Sequence, residues 1–350
     1  MTTILISDLH LGTHMTVLDH TAAREALFAA IDGADELVLL GDTVDLRYAP
    51  VRQVLDRAGP FLAELGRILD GRRVVLVPGN HDHQLAAPIL ERARIDSGVV
   101  PIETVVDAEL HGVAGAVADA LQGARVSVAY PGLWVRRDVY ATHGHYVDCH
   151  MTTPRGEVLV ASLLQRVAGR IPARATPSDY ESVLAPLYSV CYDLAQANGG
   201  GERRAQPSKV LQRMKVSGWR VFEGRAGRID VALVAAAVAV LNRAGLGPFA
   251  PDFSPDAVGA AAHAAFEQVV TRLGLDADYV VAGHTHRAGT WALSNGTTLV
   301  NTGSWGTSPT PSGRRGPDPY RPGTCVVVTE SGVPELRALL DGAPKELAAS

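Results

Sequence analysis

Ile4-Leu5-Ile6-Ser7-Asp8-Leu9-His10 opens the chain with a short apolar run that ends in an aspartate and a histidine, and the pattern recurs four times. Residues 37–40 lead into Gly41-Asp42, 74–77 into Pro78-Gly79-Asn80-His81-Asp82, 139–142 into His143-Gly144-His145, and 279–282 into Gly283-His284-Thr285-His286. Apolar runs of this length, rich in valine, isoleucine and leucine and closed by turn residues, read as buried strands. Residues 21–31 and 51–69 lie between the first three runs and carry apolar side chains at helical spacing. Strands that alternate with helices imply a layered α/β architecture. Five strands then each deliver polar side chains at their C-terminal ends.

The repeat of short strands stops between about 146 and 276, where helical patterns take over. That stretch reads as an inserted helical cap, residues 146–275, dividing a core made of residues 1–145 and 276–340. Residues 197–202 and the proline- and glycine-rich residues 307–323 read as loops, the latter beside the site because it follows Asn301-Thr302-Gly303-Ser304-Trp305.

With 350 residues and 47% hydrophobic content the chain can bury a large core. A net charge of −5 shows no basic excess, and 5% aromatic content offers few stacking platforms, so nucleic-acid binding has no support. Three cysteines, Cys149, Cys191 and Cys325, are widely spaced and form no CxxC pair, which fits a reducing cytoplasm and no thiolate zinc site. The N-terminus enters a strand at once, without the regions of a secretory signal. The longest apolar run, residues 231–241, is eleven residues, against about 20 for a membrane span. No transmembrane segment is expected; peripheral contact with a membrane stays open.

Asp8, Asp42 and the Asn80 amide offer oxygen donors, and His10, His143, His284 and His286 offer imidazoles. This mixed set suits divalent Mn, Fe, Zn, Co or Ni and disfavours the all-oxygen cages of Ca or Mg. Seven donors serve two ions only if one is shared. A carboxylate has two oxygens, so Asp42, which follows a strand and a glycine, is the natural bridge in a pair about 3.5–4 Å apart.

Asp8-Leu9-His10, Gly41-Asp42-Thr43-Val44-Asp45, Gly79-Asn80-His81-Asp82, His143-Gly144-His145 and Gly283-His284-Thr285-His286 resemble, in order, the five signature motifs of the calcineurin-like metallophosphoesterases. The resemblance covers residues 1–150 and 276–305. It implies a four-layer α/β/β/α sandwich with the site at the strand ends, one ion on Asp8, His10, His286 and Asp42, and a second on Asp42, Asn80, His143 and His284. It also implies that a water activated by the two cations, Mn, Fe or Zn, attacks phosphorus without a protein nucleophile. His81, next to Asn80, is then the general acid to the leaving oxygen, and Asp45 resembles the partner that orients it. Arg47 is a candidate for gripping a substrate phosphate, with a surface role as the alternative. His145 is expected either at the substrate or behind a ligand. Asp82 is expected to close its turn through backbone N–H groups, and an extra metal around Asp148, Cys149 and His150 is the weaker reading.

Phosphoprotein phosphatases of the superfamily continue the second motif with Asp-Arg-Gly, whereas Asp45-Leu46-Arg47 stands here. The opening motif, the helical insertion and residues 301–305 look more like bacterial phosphodiesterases such as UDP-2,3-diacylglucosamine hydrolases, although those commonly carry arginine where this chain has His81. A phosphorylated small molecule, as a phosphodiester, nucleotide or pyrophosphate, is the expected substrate. A phosphomonoester is the alternative, and a catalytically silent metal-binding scaffold the rival of another class.

Overall fold

The computed structural model describes residues 1–96, 98–107, 111–197, 228–306 and 320–341. Most of the expected loops at 197–202 and 307–323 therefore lie outside the described residues. The five expected strands are present as β1 (Thr3–Ile6), β2 (Glu36–Leu40), β3 (Arg73–Val77), β7 (Val139–Thr142) and β8 (Tyr279–Ala282). Seven more complete two sheets: β4 (Thr104–Val106), β5 (Arg125–Tyr130), β6 (Gly132–Arg136), β9 (Gly289–Ala292), β10 (Thr298–Asn301), β11 (Thr324–Val328) and β12 (Glu335–Ala338).

The first sheet has the order β12-β11-β1-β2-β3-β5-β4, and the second β6-β7-β8-β10-β9. Strands β1, β2, β3 and β5 run parallel, as do β7, β8 and β10. Their C-terminal ends therefore line up, which turns five separate sequence motifs into one edge.

Alternation along each strand sorts side chains into three cores. Ile4 and Ile6, Leu37 and Leu39, and Val74 and Leu76 face helices α1 (Thr21–Ile31), α2 (Val51–Ile68), α3 (Ala87–Asp96) and α4 (Gly112–Ala120). Leu5, Val38, Leu40, Val75 and Val77 face the other way and meet Val139, Ala141, Val281 and Val300 of the second sheet. Tyr140, Val280, Ala282 and Leu299 point out of that sheet onto helices α5 (Gly156–Ala168), α6 (Pro177–Ala197), α7 (Arg228–Arg243) and α8 (Pro255–Leu273). Helix, sheet, sheet, helix is the expected four-layer sandwich.

The helices of residues 146–275 thus share a core with the second sheet. Ala265, Phe266, Val269 and Val270 of α8, Tyr180, Val183 and Tyr188 of α6, and Val158 and Ala161 of α5 are all buried in it. Much of the insertion is the fourth layer itself. Among the described residues, no helix is long and apolar enough to cross a membrane.

Candidate metal centre

Sharp turns at the strand ends throw the polar side chains into one cleft, and the backbone shows the cost. Among the described residues, the non-glycine residues with positive φ are Asp8, His10, Asp42, His284 and His286, between 47° and 65°, all of them expected ligands. Left-handed backbone costs an L-residue on the order of 1–3 kcal/mol, so it persists only where neighbours enforce it. Here Asp8 N donates to Gly41 O at 3.0 Å and His10 N to Asp42 O at 2.9 Å. The 301–305 segment braces the same turn: Trp305 N donates to Asp8 O at 3.0 Å, and the Ser304 hydroxyl to the same oxygen at 3.1 Å. Gly41, at φ 88°, lies so close to the His143 ring that a Cβ would overlap Nδ1.

The donors converge in three groups able to hold a metal: Asp8, His10 and His286; Asp8, Asp42 and His143; and His10, Asp45 and His81, each with ligand atoms within 4.8 Å of one another. His286 Nε2 lies 3.1 Å from Asp8 Oδ1 and 3.4 Å from His10 Nε2. Asp42 Oδ2 stands between two imidazoles, 3.5 Å from His143 Nε2 and 4.0 Å from His10 Nε2. Asn80 Oδ1 is 3.2 Å from His143 Nε2 and 3.1 Å from His284 Nδ1. Asp8 Oδ1 is buried and makes no hydrogen bond despite the nearby His286 nitrogen. An acceptor left unpaired in the interior is expensive, and one aimed with nitrogen donors at a common point fits a divalent cation. His143 Nδ1 is 2.9 Å from Leu40 O, which sets Nε2 as the free nitrogen facing the cleft.

The protein's own charges are strongly unbalanced in this cleft. Burial works against ionised Asp8, but the charge and close polar contact of His286, together with the charge of His143, outweigh it and lower the pKa to about 2. Burial likewise opposes charged His143 and His81, yet Asp42 raises the first to about 10, and Asp42 with Asp45 raises the second to about 9. Such concentrations of opposed shifts mark working sites. His81 Nδ1 sits 2.9 Å from Asp45 Oδ2, as expected of an oriented histidine. Its side chain is 26% exposed, against 4% for Asp45.

Asp82 closes the cleft floor, as expected. Its carboxylate accepts from Gly79 N at 2.6 Å, Thr43 N at 2.7 Å and Asp42 N at 3.2 Å. Arg47 is not a free surface side chain: its guanidinium pairs with Glu157 at 2.8 Å and is 14% exposed. Of the two positions open for His145, the structure favours the one behind a ligand. It is 1% exposed, with its ring against those of His143, Tyr146 and Tyr188 and Nε2 3.3 Å from the Tyr130 hydroxyl. So deep a side chain has no surface to offer a substrate. Among the described residues no metal-holding group forms around Asp148, Cys149 and His150. Asp148 instead meets His284 Nε2 at 3.1 Å. Glu157, which carries no local signal in its sequence context, accepts from Asn80 Nδ2 at 2.9 Å.

Residues 1–163 match the family model described as calcineurin-like phosphoesterase. A dimetal phosphatase from Danio rerio is similar over 94% of this chain and 93% of its own, at 12% identity and a TM-score of 0.33, a level too low to carry its properties across. No curated protein matches. Residues 1–163 are thus similar to the calcineurin-like phosphoesterases, and with the convergence of the signature side chains on one cleft this similarity supports a hydrolase that acts on phosphoric esters with divalent metal ions.

Proposed function

We propose that the chain hydrolyses a small-molecule phosphodiester, nucleotide or pyrophosphate with two divalent transition-metal ions, Mn, Fe or Zn. Asp8, His10 and His286 hold one ion, Asn80, His143 and His284 the other, and Asp42 is shared. The observation that carries this reading is the place of Asp42 Oδ2, flanked by His10 Nε2 and His143 Nε2 from the two groups. Bound ions supply the Lewis acid that makes water nucleophilic near neutral pH and offset charge on the phosphate.

The side chains do the rest. His81 holds a proton at Nδ1 against Asp45 and presents Nε2 to the leaving oxygen as general acid. Asp45 carries out no proton transfer of its own; it fixes the ring and its charge. Arg47, paired with Glu157, meets a phosphate oxygen when substrate replaces or joins that partner. The inserted helices contact the part of the substrate that does not react, and so set selectivity.

A panel assay tests the reading. The Mn²⁺-loaded protein should turn over bis-p-nitrophenyl phosphate and a nucleoside diphosphate sugar faster than p-nitrophenyl phosphate. Faster hydrolysis of the monoester would overturn the substrate class and favour a phosphomonoesterase.

A further inference from the structure

An asparagine amide is nearly symmetric in shape, yet only its oxygen can face a cation. Something must therefore decide which end of Asn80 points inward. Glu157 makes that choice: its Oε2 accepts from Asn80 Nδ2 at 2.9 Å, which leaves Oδ1 between His143 and His284. A flipped amide would set Oδ1 against a carboxylate and turn two N–H donors toward the ligand nitrogens. The other oxygen of Glu157 is held by Arg47 at 2.8 Å, so the carboxylate is itself fixed.

Glu157 sits in the first turn of α5, 77 positions from Asn80. The next residue, Val158, and Ala161 are fully buried in the core of the second sheet, which anchors this end of the helix. Asp148, also from the inserted segment, acts in parallel on a neighbour. Its Oδ1 lies 3.1 Å from His284 Nε2, so that nitrogen carries the proton and Nδ1 is the bare one, facing Asn80. Among the described residues, the corner formed by Asp8, His10 and His286 is supported differently: Asp8 and His10 are braced by Ser7 and Asp45 from the first sheet's strand ends.

Resting on the two-ion reading above, we propose that Glu157 is a positioning residue for the Asn80–His143–His284 corner, so that the inserted segment completes one metal site and leaves the other intact. The segment then does more than select substrates: one of the two ions depends on it.

The test is a calorimetric Mn²⁺ titration of the metal-free protein, with the exchange-coupled signal of a manganese pair read by electron paramagnetic resonance. The parent should bind two ions. Glu157→Ala should weaken one by roughly 10- to 100-fold, the usual effect of losing a ligand's hydrogen-bond partner, keep the other, and lose the coupled signal at limiting metal. Glu157→Gln retains an oxygen that can accept from Asn80 and should recover most of the affinity. Parent-like binding of both ions by Glu157→Ala overturns the proposal. So does equal weakening of both ions in Glu157→Ala and Glu157→Gln with circular dichroism unchanged, which would make Glu157 a general support or a direct ligand. Failure of the parent to bind a second ion would fell the underlying two-ion reading instead.

Discussion

Replacing Gly79 with alanine should damage the metal centre through a single methyl group. A Cβ built at this position overlaps Asp42 Oδ1 and lies 2.7 Å from Asp42 N and 2.8 Å from His143 Cδ2. The backbone N cannot retreat easily, because Asp82 Oδ1 holds it at 3.2 Å while also binding Gly79 N at 2.6 Å. The Asp42 carboxylate must rotate, and in doing so it gives up the hydrogen bond from His81 N at 2.8 Å. Overpacking costs about 1–3 kcal/mol and a lost hydrogen bond to a charged group about 1.5–3 kcal/mol, so the metal-free protein should lose roughly 2.5–6 kcal/mol. Against a total stability of about 5–15 kcal/mol, the variant stays folded when the parent lies above about 6 kcal/mol. Urea unfolding measures the loss, and a Mn²⁺ titration of the same variant should show both ions weakened if, as proposed, Asp42 is shared between them. Gly33→Ala is the control: nothing lies within 4 Å of its Cβ and its φ is not positive, so stability should change by no more than about 1 kcal/mol. If Gly79→Ala unfolded and bound metal like Gly33→Ala, the tight packing of this turn against Asp42 would be wrong.

Asp42→Asn should reduce metal content and abolish turnover, because the shared carboxylate is lost; elemental analysis and a bis-p-nitrophenyl phosphate assay check both. His81→Ala should keep its metals but lower kcat by on the order of 10²–10⁴, the usual contribution of a general acid. In the metal-free protein, His81 should titrate near pH 9 by NMR, because Asp42 and Asp45 outweigh the opposing effect of burial. The sign follows: a raised folded-state pKa stabilises the fold fully below the ordinary histidine value of about 6.5, and that contribution is lost as pH rises through about 9. A His81 resonance titrating near 6.5 would contradict the Asp45 pairing.

The metal cleft was legible because it is made by local rules. A parallel strand must end in a loop, and Asp8, Asp42, Asn80, His143 and His284 all fall one to three residues past such an end, so each appears in the sequence beside an apolar run. The strand edges were harder to read. Strands β4, β9 and β12 have mostly exposed or half-buried patterns, which leaves no clear hydrophobic period. Helices were also readable in the described part of residues 146–275, but not their place as a packed layer: periodicity says that a helix has a buried face, never what covers it. Glu157 escaped notice for a similar reason, and Asp148 reads in the sequence only as part of an extra metal site, not as a partner of His284. Each is an ordinary acidic residue in its local context, and only the tertiary fold brings it to Asn80 or His284. The left-handed backbone at Asp8, His10, Asp42, His284 and His286 leaves no residue-type signal either, since aspartate and histidine there look like any turn residues.

The packed layer also changes how the role of the insertion can be tested. Excising residues 152–270 would remove Val158, Ala161, Tyr180, Val183, Ala265 and Phe266 from the core. Each large apolar side chain removed costs about 2–5 kcal/mol, so the deletion would unfold the second sheet before it reported on selectivity.

The proposed centre has seven side chains at five strand ends that hold two ions through a shared aspartate. It is tested most directly by counting divalent metal per chain in protein loaded with Mn²⁺ and freed of loosely bound ions. A value close to two is predicted, falling below one in Asp42→Asn; a reproducible value of zero in the parent chain would contradict the account.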